Sequence, residues 1–560
     1  MTLTGISSGA PSRLRQFPLV GKPSFALRAR CFVSPADRLR QHEVCPKGLQ
    51  DWSHEGQLTK DKGQRTNNVT IDYDVVVIGG SLAGRYAALT ASQLRAKVAL
   101  VEPTTNGGFN VNAPYEFISH HALSHISNLG KQLGDAADIG LHTSCADTKE
   151  KCQISAHAAQ AMLYAHGVVS NLQEQYSPAV IAAQGVDVIL GNGQFESSSH
   201  LSFAVNDRLL RARSYLLATG SRPAIPEIEG LQRTGFLTIP QIRQALSRST
   251  PPLQWVIIGG IPQSIELAQT LARFGYDVTL VVEHPNILPD VDSEIAQLLC
   301  SQLEAEGVRV FTKTRVTQVR QIEDKKWLQV GDKAIETDEI VVARAQQPNI
   351  ESLNLAAVDV KWNQRRLLVN DKLQTTNKRI WACGDVIGGY EFVNIAHYEA
   401  RVALQNALFF PRLKVNYRHI PWAVFTNPVF AQVGLTEAQA KRRYSRDKVI
   451  VLRQFFKTLS AAQIRDETTG ICKVIVLGNG EILGASLLGA EASELINVIG
   501  LAIAQKIKVN RLAHLAPVCP SFSEIFEQAA LSWSQQKLSR NLAWQECLES
   551  FFDFRRNSNF

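Results

Sequence analysis

Two stretches of the chain share one hydrophobic pattern. In "IDYDVVVIGGSLAGRYAALTASQLRAKVALVEP", residues 71–103, an apolar β-branched run ends in glycines, an alanine-rich helical stretch follows, and a second apolar run closes at Glu102. In "LQWVIIGGIPQSIELAQTLARFGYDVTLVVE", residues 253–283, the order recurs and closes at Glu283. Continuous apolar runs suit parallel strands covered on both faces, and strand, helix and strand in this order predict a β-α-β unit. In the first unit Gly79 permits the tight turn, Ser81 is a small residue where backbone must approach a pyrophosphate, and Gly84 lets helix and strand pack closely. Glu102, at the end of the second strand, is expected to accept from a ribose hydroxyl.

The second unit departs from that logic. Gly259 and Gly260 follow the strand, but Ile261 stands where a missing side chain would admit the pyrophosphate, and Ser264 replaces the third glycine. Pro262 is compatible with a first helical turn, so the helix dipole remains available to an anion while a branched side chain opposes close contact. Glu283 suits a free ribose 2′-hydroxyl better than a phosphate, which favours NADH over NADPH.

The chain has 560 residues, beyond the ~250 to 300 at which one core stops growing, so several domains are expected. Composition is that of a globular protein, and no apolar run reaches the ~18 residues of a transmembrane helix. The net charge of +8 is modest and scattered, which argues against a nucleic-acid partner. Nine cysteines without dense spacing point to a reducing compartment. Cys145 and Cys152 are too far apart for a CxxC pair and receive no role. The first 36 residues hold five Arg or Lys and no Asp or Glu. They read as an organelle transit segment or a disordered extension, leaving a cytoplasmic or a plastid or other organellar location open.

Three further segments, "SYLLATGSRPAIPEIEGL" (214–231), "IVVARAQQPNIESLNL" (340–355) and "RIWACGDVIGG" (379–389), lie between and after the two units. With the glycine turns they resemble the class I pyridine nucleotide-disulfide oxidoreductases, the family of dihydrolipoamide dehydrogenase, glutathione reductase and mercuric reductase. "FTNPVFAQVGLTEAQA" and "KVIVLGNGEILGASLLGAEASELINVIGLAI" look like that family's dimerisation domain. The resemblance spans residues 71 to 530. It implies an α/β fold with two Rossmann-like dinucleotide-binding domains, for FAD and NAD(P), and a C-terminal α+β dimerisation domain. The expected division is an extension over 1–70, an FAD domain over 71–223 and 351–410, an NAD(P)-binding-like domain over 224–350, a dimerisation domain over 411–532 and a helical tail over 533–560. Ala218, Thr219 and Gly220 would mark the chain crossing beneath FAD. Asp385 behind Gly384 would bind its ribityl chain, a role that a carboxylate beside a glycine at a strand end is chemically suited to fill.

The resemblance fails where the family's chemistry lies. Its GGTCLNxGCxPSK pattern is matched by Gly107, Gly108, Phe109, Asn110, Val111, Asn112, Ala113, Pro114 and Tyr115, with Asn110 and Tyr115 at the two cysteine positions. Neither side chain can form a thiolate or a mixed disulfide. The lysine that follows in the family falls near Ser119 or His120, so Glu266, its matching glutamate, is expected either to keep a site role without that partner or to face solvent. The family's "HPTLSE" reads "CPSFSE", so Cys519 replaces the acid-base histidine while Glu524 is retained. Cys519 is therefore a lone-thiol candidate or an interface filler. His120, His121 and His125 are expected on a helix surface or interface, with no metal bound, and His397 is solvated or backbone-bonded.

These readings converge on a homodimeric FAD protein that moves hydride from NAD(P)H to flavin and then to a non-thiol acceptor, a quinone, metal ion or electron carrier, without disulfide reduction. The alternative is a catalytically degenerate flavoprotein with a binding, sensing or scaffold role. Leu538, Leu542, Leu548, Phe551 and Phe552 in the tail suit docking or, more commonly, packing within the chain.

Overall fold

The computed structural model describes residues 71–104, 115–135, 157–197, 200–248, 250–344, 346–389 and 391–558. The extension through residue 70, Asn110, Cys145 and Cys152 lie outside the described residues.

Three five-stranded sheets carry the fold. The first is parallel, in the order Ile380–Ala382, Ala212–Leu217, Tyr73–Ile78, Val98–Glu102, Asp187–Leu190. All of Val98–Glu102 is buried, as the unbroken apolar run requires. Helix Leu82–Gln93 buries Ala83, Gly84, Ala87, Ala88 and Ala91, a face of small residues that brings its backbone close to its neighbours. Helix Val393–Leu408 packs against it.

The second sheet, also parallel, runs Arg309–Phe311, Asp277–Val281, Gln254–Ile258, Glu339–Val342, Leu237–Thr238. Its residues interrupt the first sheet in sequence. The chain leaves along Ser221–Pro223 and returns along Gln346–Pro348, and these two short strands pair antiparallel, with Arg222 opposite Gln347. The third sheet is antiparallel, in the order Trp422–Val424, Val429–Gly434, Ile482–Gly489, Ile471–Leu477, Val449–Phe455. The two nucleotide-binding units and the carboxy-terminal α+β unit expected from the sequence are thus all present. The tail differs from the commoner expectation, because helix Leu542–Asn557 buries none of its residues, and Leu542, Trp544, Phe551, Phe552 and Phe554 are exposed.

The second and third sheets are joined by polar contacts inside the protein. Lys473, 1% exposed, projects from Ile471–Leu477 and reaches Asp292 at 2.7 Å, Glu294 at 2.8 Å and Glu437 at 2.8 Å. Asp292 is also the N-cap of helix Ser293–Ala305, accepting from the Glu294 N–H at 3.2 Å. Burial lowers the pKa of a lone lysine, but here the three carboxylates outweigh it and hold the ammonium charged. Nearby, Arg273 binds Glu306 through Nε at 2.6 Å and Nη2 at 2.7 Å, and also donates to the Asn427 carbonyl at 3.1 Å. Replacing Lys473 with Met strands three carboxylates around an apolar side chain. The expected loss in urea-induced unfolding is about 3–5 kcal/mol; a loss below ~1 kcal/mol would mean that the acids relax freely into water.

Candidate functional site

At the carboxyl end of the first sheet, Gly79 has φ +120°, and a Cβ there would lie 2.2 Å from the Ala218 carbonyl oxygen. Only glycine permits that approach. A Cβ on Gly84 would lie 2.1 Å from the Gly79 carbonyl oxygen, so the helix start is equally tight. The Ser81 hydroxyl caps helix Leu82–Gln93 by accepting from the Gly84 N–H at 3.2 Å, and donates to the Ala218 carbonyl at 2.8 Å. Beyond this crossing, the Thr219 hydroxyl donates to the Asn349 carbonyl at 2.8 Å, and the Asn349 N–H donates to the Gly220 carbonyl at 3.1 Å.

Asp385 follows strand Ile380–Ala382 at the same edge. Its carboxylate has neither a hydrogen bond nor an ion pair among the described residues, and burial lifts its pKa to about 6. Two carboxylates that sequence reasoning missed lie near it. Glu399 accepts from the buried Gly384 N–H at 2.8 Å and from the Tyr417 hydroxyl at 2.7 Å, yet burial keeps its pKa at about 7. Burial first, and then the charge of Asp385, raises Glu391 to about 8. Glu399 had a signal in the sequence: it lies on the apolar face of its helix with Ile395, Ala396, Val402 and Ala403. Burial pushes the Cys383 thiol well up, which makes it a poor nucleophile. His397 stacks on Tyr86 with ring centroids 4.6 Å apart, and burial pushes its pKa below the usual imidazole value, the Leu82 backbone opposing that shift.

Glu102 is not a free acceptor. Arg85 holds both of its oxygens, through Nε at 2.7 Å and Nη2 at 3.0 Å, and both side chains are buried. Arg85 Nη1 also donates to the Tyr115 hydroxyl at 3.3 Å and to the Tyr176 carbonyl at 3.1 Å. Tyr115, at the second cysteine position, is 2% exposed and fixed in this network. A ribose would have to share Glu102 with Arg85 or displace it, which corrects the simpler expectation.

The second crevice repeats the glycine constraint. Gly259 has φ +146°, and a Cβ there would lie 1.7 Å from the Ala343 carbonyl oxygen. A Cβ on Gly260 would meet Val282 at 2.8 Å. Ile261 is the N-cap of helix Pro262–Arg273 and, still partly exposed, packs against the hydrophobic core of this unit, so it obstructs the crevice less than its position in the sequence suggests. Ser264 is fully buried, and its hydroxyl donates to the Ile261 carbonyl at 2.6 Å, so it braces the turn and does not face a nucleotide. Glu283 forms ion pairs with two arginines, lying 2.8 Å from Arg344 Nη2 and 3.3 Å from Arg315 Nε. The carboxylate expected to meet a ribose hydroxyl is therefore shared with two guanidiniums.

Glu266 neither faces solvent nor lines that crevice. It is 3% exposed and accepts from the Phe425 N–H at 2.7 Å. Its other oxygen lies 3.3 Å from Nε2 of His120 and 3.5 Å from Nε2 of His121. The approaches are ionic in distance but poorly aligned, so Glu266 Oε2 and His120 Nε2 lack a well-formed hydrogen bond. Burial would raise the Glu266 pKa; the two imidazoles outweigh it and hold it at about 2. The missing lysine is thus answered by histidines, and His120 is buried instead of lying on the surface. His125 is exposed, and no metal-binding group of three or more His, Cys, Asp or Glu occurs among the described residues. Cys519 is exposed, and Glu524 accepts from the Ser521 N–H at 2.7 Å, closing its own loop at the start of helix Glu524–Ser539.

Residues 73–400 match the pyridine nucleotide-disulphide oxidoreductase family and residues 420–530 its dimerisation domain. The chain belongs to this family. It is 30% identical to a mercuric reductase of Staphylococcus aureus over 470 residues, 83% of each chain. It is 30% identical to a dihydrolipoyl dehydrogenase of Synechocystis sp. over 482 residues, covering 82% of this chain and 98% of that one. Among solved structures, LpdA from Mycobacterium tuberculosis superposes with TM-score 0.72 at 22% identity, covering 82% of this chain and 99% of that one. The HOCl-induced flavoprotein disulfide reductase RclA from Escherichia coli, as a Cu(II) complex, gives 0.70 at 24%, with the same coverage. At these identities the structural likeness shows the fold alone. Members of this family are flavoproteins that work with FAD and pyridine nucleotides.

The three raised carboxyls fix a pH dependence. Each binds its proton more tightly folded than unfolded, so the stability they allow is full at low pH and is lost as pH rises through their folded values. Without cofactor, the melting temperature should fall as pH rises across the window from roughly 4 to 8. Asp385→Asn should flatten the part between about 4 and 6, as read by differential scanning fluorimetry; an unchanged slope there would rule out Asp385 as a source.

Proposed function

We propose that the protein is an FAD-dependent oxidoreductase that takes reducing equivalents from a reduced pyridine nucleotide and delivers them to a non-thiol acceptor, such as a quinone, a metal ion or a small electron carrier. The observation that carries this reading is Asp385, a partly buried carboxylate with no partner among the described residues, at a strand end beside the Gly79 turn. A partly buried acceptor without a partner suits a polyol hydroxyl, and FAD's ribityl chain supplies one. Gly79, Ser81 and Gly84 would set the N-terminus of helix Leu82–Gln93 against the diphosphate. Ala218, Thr219, Gly220 and Gly384 would keep the crossing chain low enough for the ring system, while Glu102 would serve the ribose only in competition with Arg85. Bound there, FAD supplies hydride acceptance and one- or two-electron delivery. Gly259, Gly260 and Glu283 would line the second nucleotide's crevice.

Disulfide reduction is excluded from this reading because Tyr115, at one of the two redox cysteine positions, is a buried phenol tied to Arg85. The dimerisation domain supports a homodimer, in which the exposed Cys519 would meet a second copy. A catalytically silent flavoprotein is the second reading. It is favoured by the arginines that already occupy Glu102 and Glu283, the two carboxylates expected to receive ribose.

The purified protein should show an oxidised-flavin spectrum, and Asp385→Ala should release the flavin on dilution at least tenfold more readily, in line with the loss of one charge-assisted hydrogen bond. A correctly folded chain that stays colourless after incubation with FAD would remove the assignment. Under anaerobic conditions the flavin should bleach with a reduced pyridine nucleotide, while glutathione disulfide and dihydrolipoamide turn over no faster than with free FAD. Bound flavin that no reduced nucleotide bleaches would instead establish the silent reading.

A further inference from the structure

The Gly79 turn lies at the carboxyl end of the first sheet, and an exposed patch of aromatic and basic side chains lies at its amino end. Asp74, Lys97 and Arg213 stand at or just before the starts of strands Tyr73–Ile78, Val98–Glu102 and Ala212–Leu217. Helix Val393–Leu408 runs from one end to the other: its Glu399 holds the Gly384 N–H, and its Ala407 carbonyl accepts from the Ser214 hydroxyl at 2.9 Å. Just beyond its last residue, Phe409 is 63% and Phe410 75% exposed, and Leu94 from the neighbouring helix end is 45% exposed.

The loop that carries these rings is held at both ends. The Phe409 N–H donates to the Gln405 carbonyl at 3.0 Å. The buried amide of Asn406 donates to the Leu413 carbonyl at 2.8 Å and accepts from the Leu413 N–H at 3.0 Å. Pro411 stiffens the span between them. Two large apolar rings are thus fixed in water, a cost that an apolar partner would recover.

Charge decides what that partner is. The Arg412 guanidinium lies 5.4 Å from the centroid of the Phe410 ring. Beside Phe409 is a cavity of about 180 Å³ flanked by Arg95 and Arg213, with Asp74 the single carboxylate in its lining. Arg95, Arg213 and Arg412 have no carboxylate partner among the described residues, and with Lys97 they leave a positive excess over Asp74. Arg95 has φ +64°, where glycine would carry no strain, so a long cation occupies a position that backbone preference gives to a smaller residue. The cavity is smaller than the ~300 to 1,000 Å³ of a typical small-molecule pocket. It is large enough for one anionic group between two guanidiniums, and a phosphodiester suits their planar forks. The aromatics project instead of forming a groove, which suits a layer of anions above an apolar layer better than an acidic peptide.

We propose that this patch docks the protein on a membrane surface that contains anionic phospholipid, with Arg95 and Arg213 on a headgroup phosphate and Phe409 and Phe410 at the acyl boundary. Docking of this kind is peripheral, because the rings enter only the interface. It leaves the crevice at the opposite end of the sheet uncovered.

Co-sedimentation of the full chain with vesicles tests the proposal. The protein should pellet with equimolar phosphatidylcholine and phosphatidylserine, binding phosphatidylcholine alone about tenfold or more weakly, and added salt should release it from the anionic vesicles. Phe410→Ser should weaken binding about tenfold, and Arg213→Ala and Arg412→Ala about fivefold each. Phe551→Ser, in the likewise exposed tail helix, should leave binding unchanged. All four replaced side chains are exposed, so melting temperatures should stay at the wild-type value and separate lost binding from unfolding. A wild-type chain that stays in the supernatant with anionic vesicles, or binds neutral ones as well, overturns the proposal. So does a loss of binding that follows Phe551 instead of Phe410. If the wild type forms a higher oligomer in solution that Phe410→Ser dissolves, the patch is a contact between copies and the membrane proposal falls.

Discussion

At both Gly79 and Gly259 a neighbouring strand's carbonyl oxygen occupies the space in which any other residue would carry its Cβ. This steric constraint sets the position of everything at the two crevices. Because the Ala218 carbonyl fits against Gly79, the first turn can be tied to the crossing chain by the Ser81 hydroxyl, and the helix that follows begins where an anion could meet its N-terminus. Because the Ala343 carbonyl fits against Gly259, the next residue, Arg344, is delivered to the strand end within reach of Glu283. A methyl group at either glycine would push two strand ends apart and dissolve the geometry that brings the charged residues together.

The polar groups between the sheets act on a different scale. Lys473 with its three carboxylates, Arg273 with the Asn427 carbonyl, and Glu266 with its histidines and the Phe425 N–H all join the second nucleotide unit to neighbouring parts of the chain. Such contacts add little net stability over a well-packed apolar interface, but each is costly to break singly because the remaining charge has nowhere to go. They therefore fix the registry of the units more than they strengthen it. The consequence for function is that the helix carrying His120 and the helix carrying Glu266 cannot drift apart without exposing an unpaired buried carboxylate.

The features legible in the sequence are those set by local rules. Both β-α-β units could be read because strand, turn and helix are specified by adjacent residues, and the glycines at 79, 84 and 259 were visible as residues with a steric task. The ion pairs were not legible, since Arg85 with Glu102, Arg344 with Glu283 and His120 with Glu266 join side chains from separate elements whose meeting depends on the completed fold. Each altered the reading of a residue that the sequence had singled out. Glu102 and Glu283 changed from free acceptors to shared ones, and Glu266 from a group without a partner to one with two. Ser81 and Ser264, singled out as small residues at the glycine turns, use their hydroxyls to cap or brace their own helices, a contact that local sequence does not announce.

The pattern of what is lost and what remains constrains the chemistry more than either does alone. Thiol exchange needs a thiolate and an acid-base partner, and at the positions where the sequence resemblance would place them the chain has a buried phenol, Tyr115, and an exposed thiol, Cys519. Asp385 has no partner among the described residues, and burial lifts its pKa to about 6, so its charged form carries a desolvation cost that a hydroxyl donor would offset. An unpaired buried acid is tolerable when a bound ligand supplies its donor for most of the protein's lifetime. The cost at Asp385 thus supports the proposed polyol-bearing cofactor, whose hydroxyl would supply the missing donor.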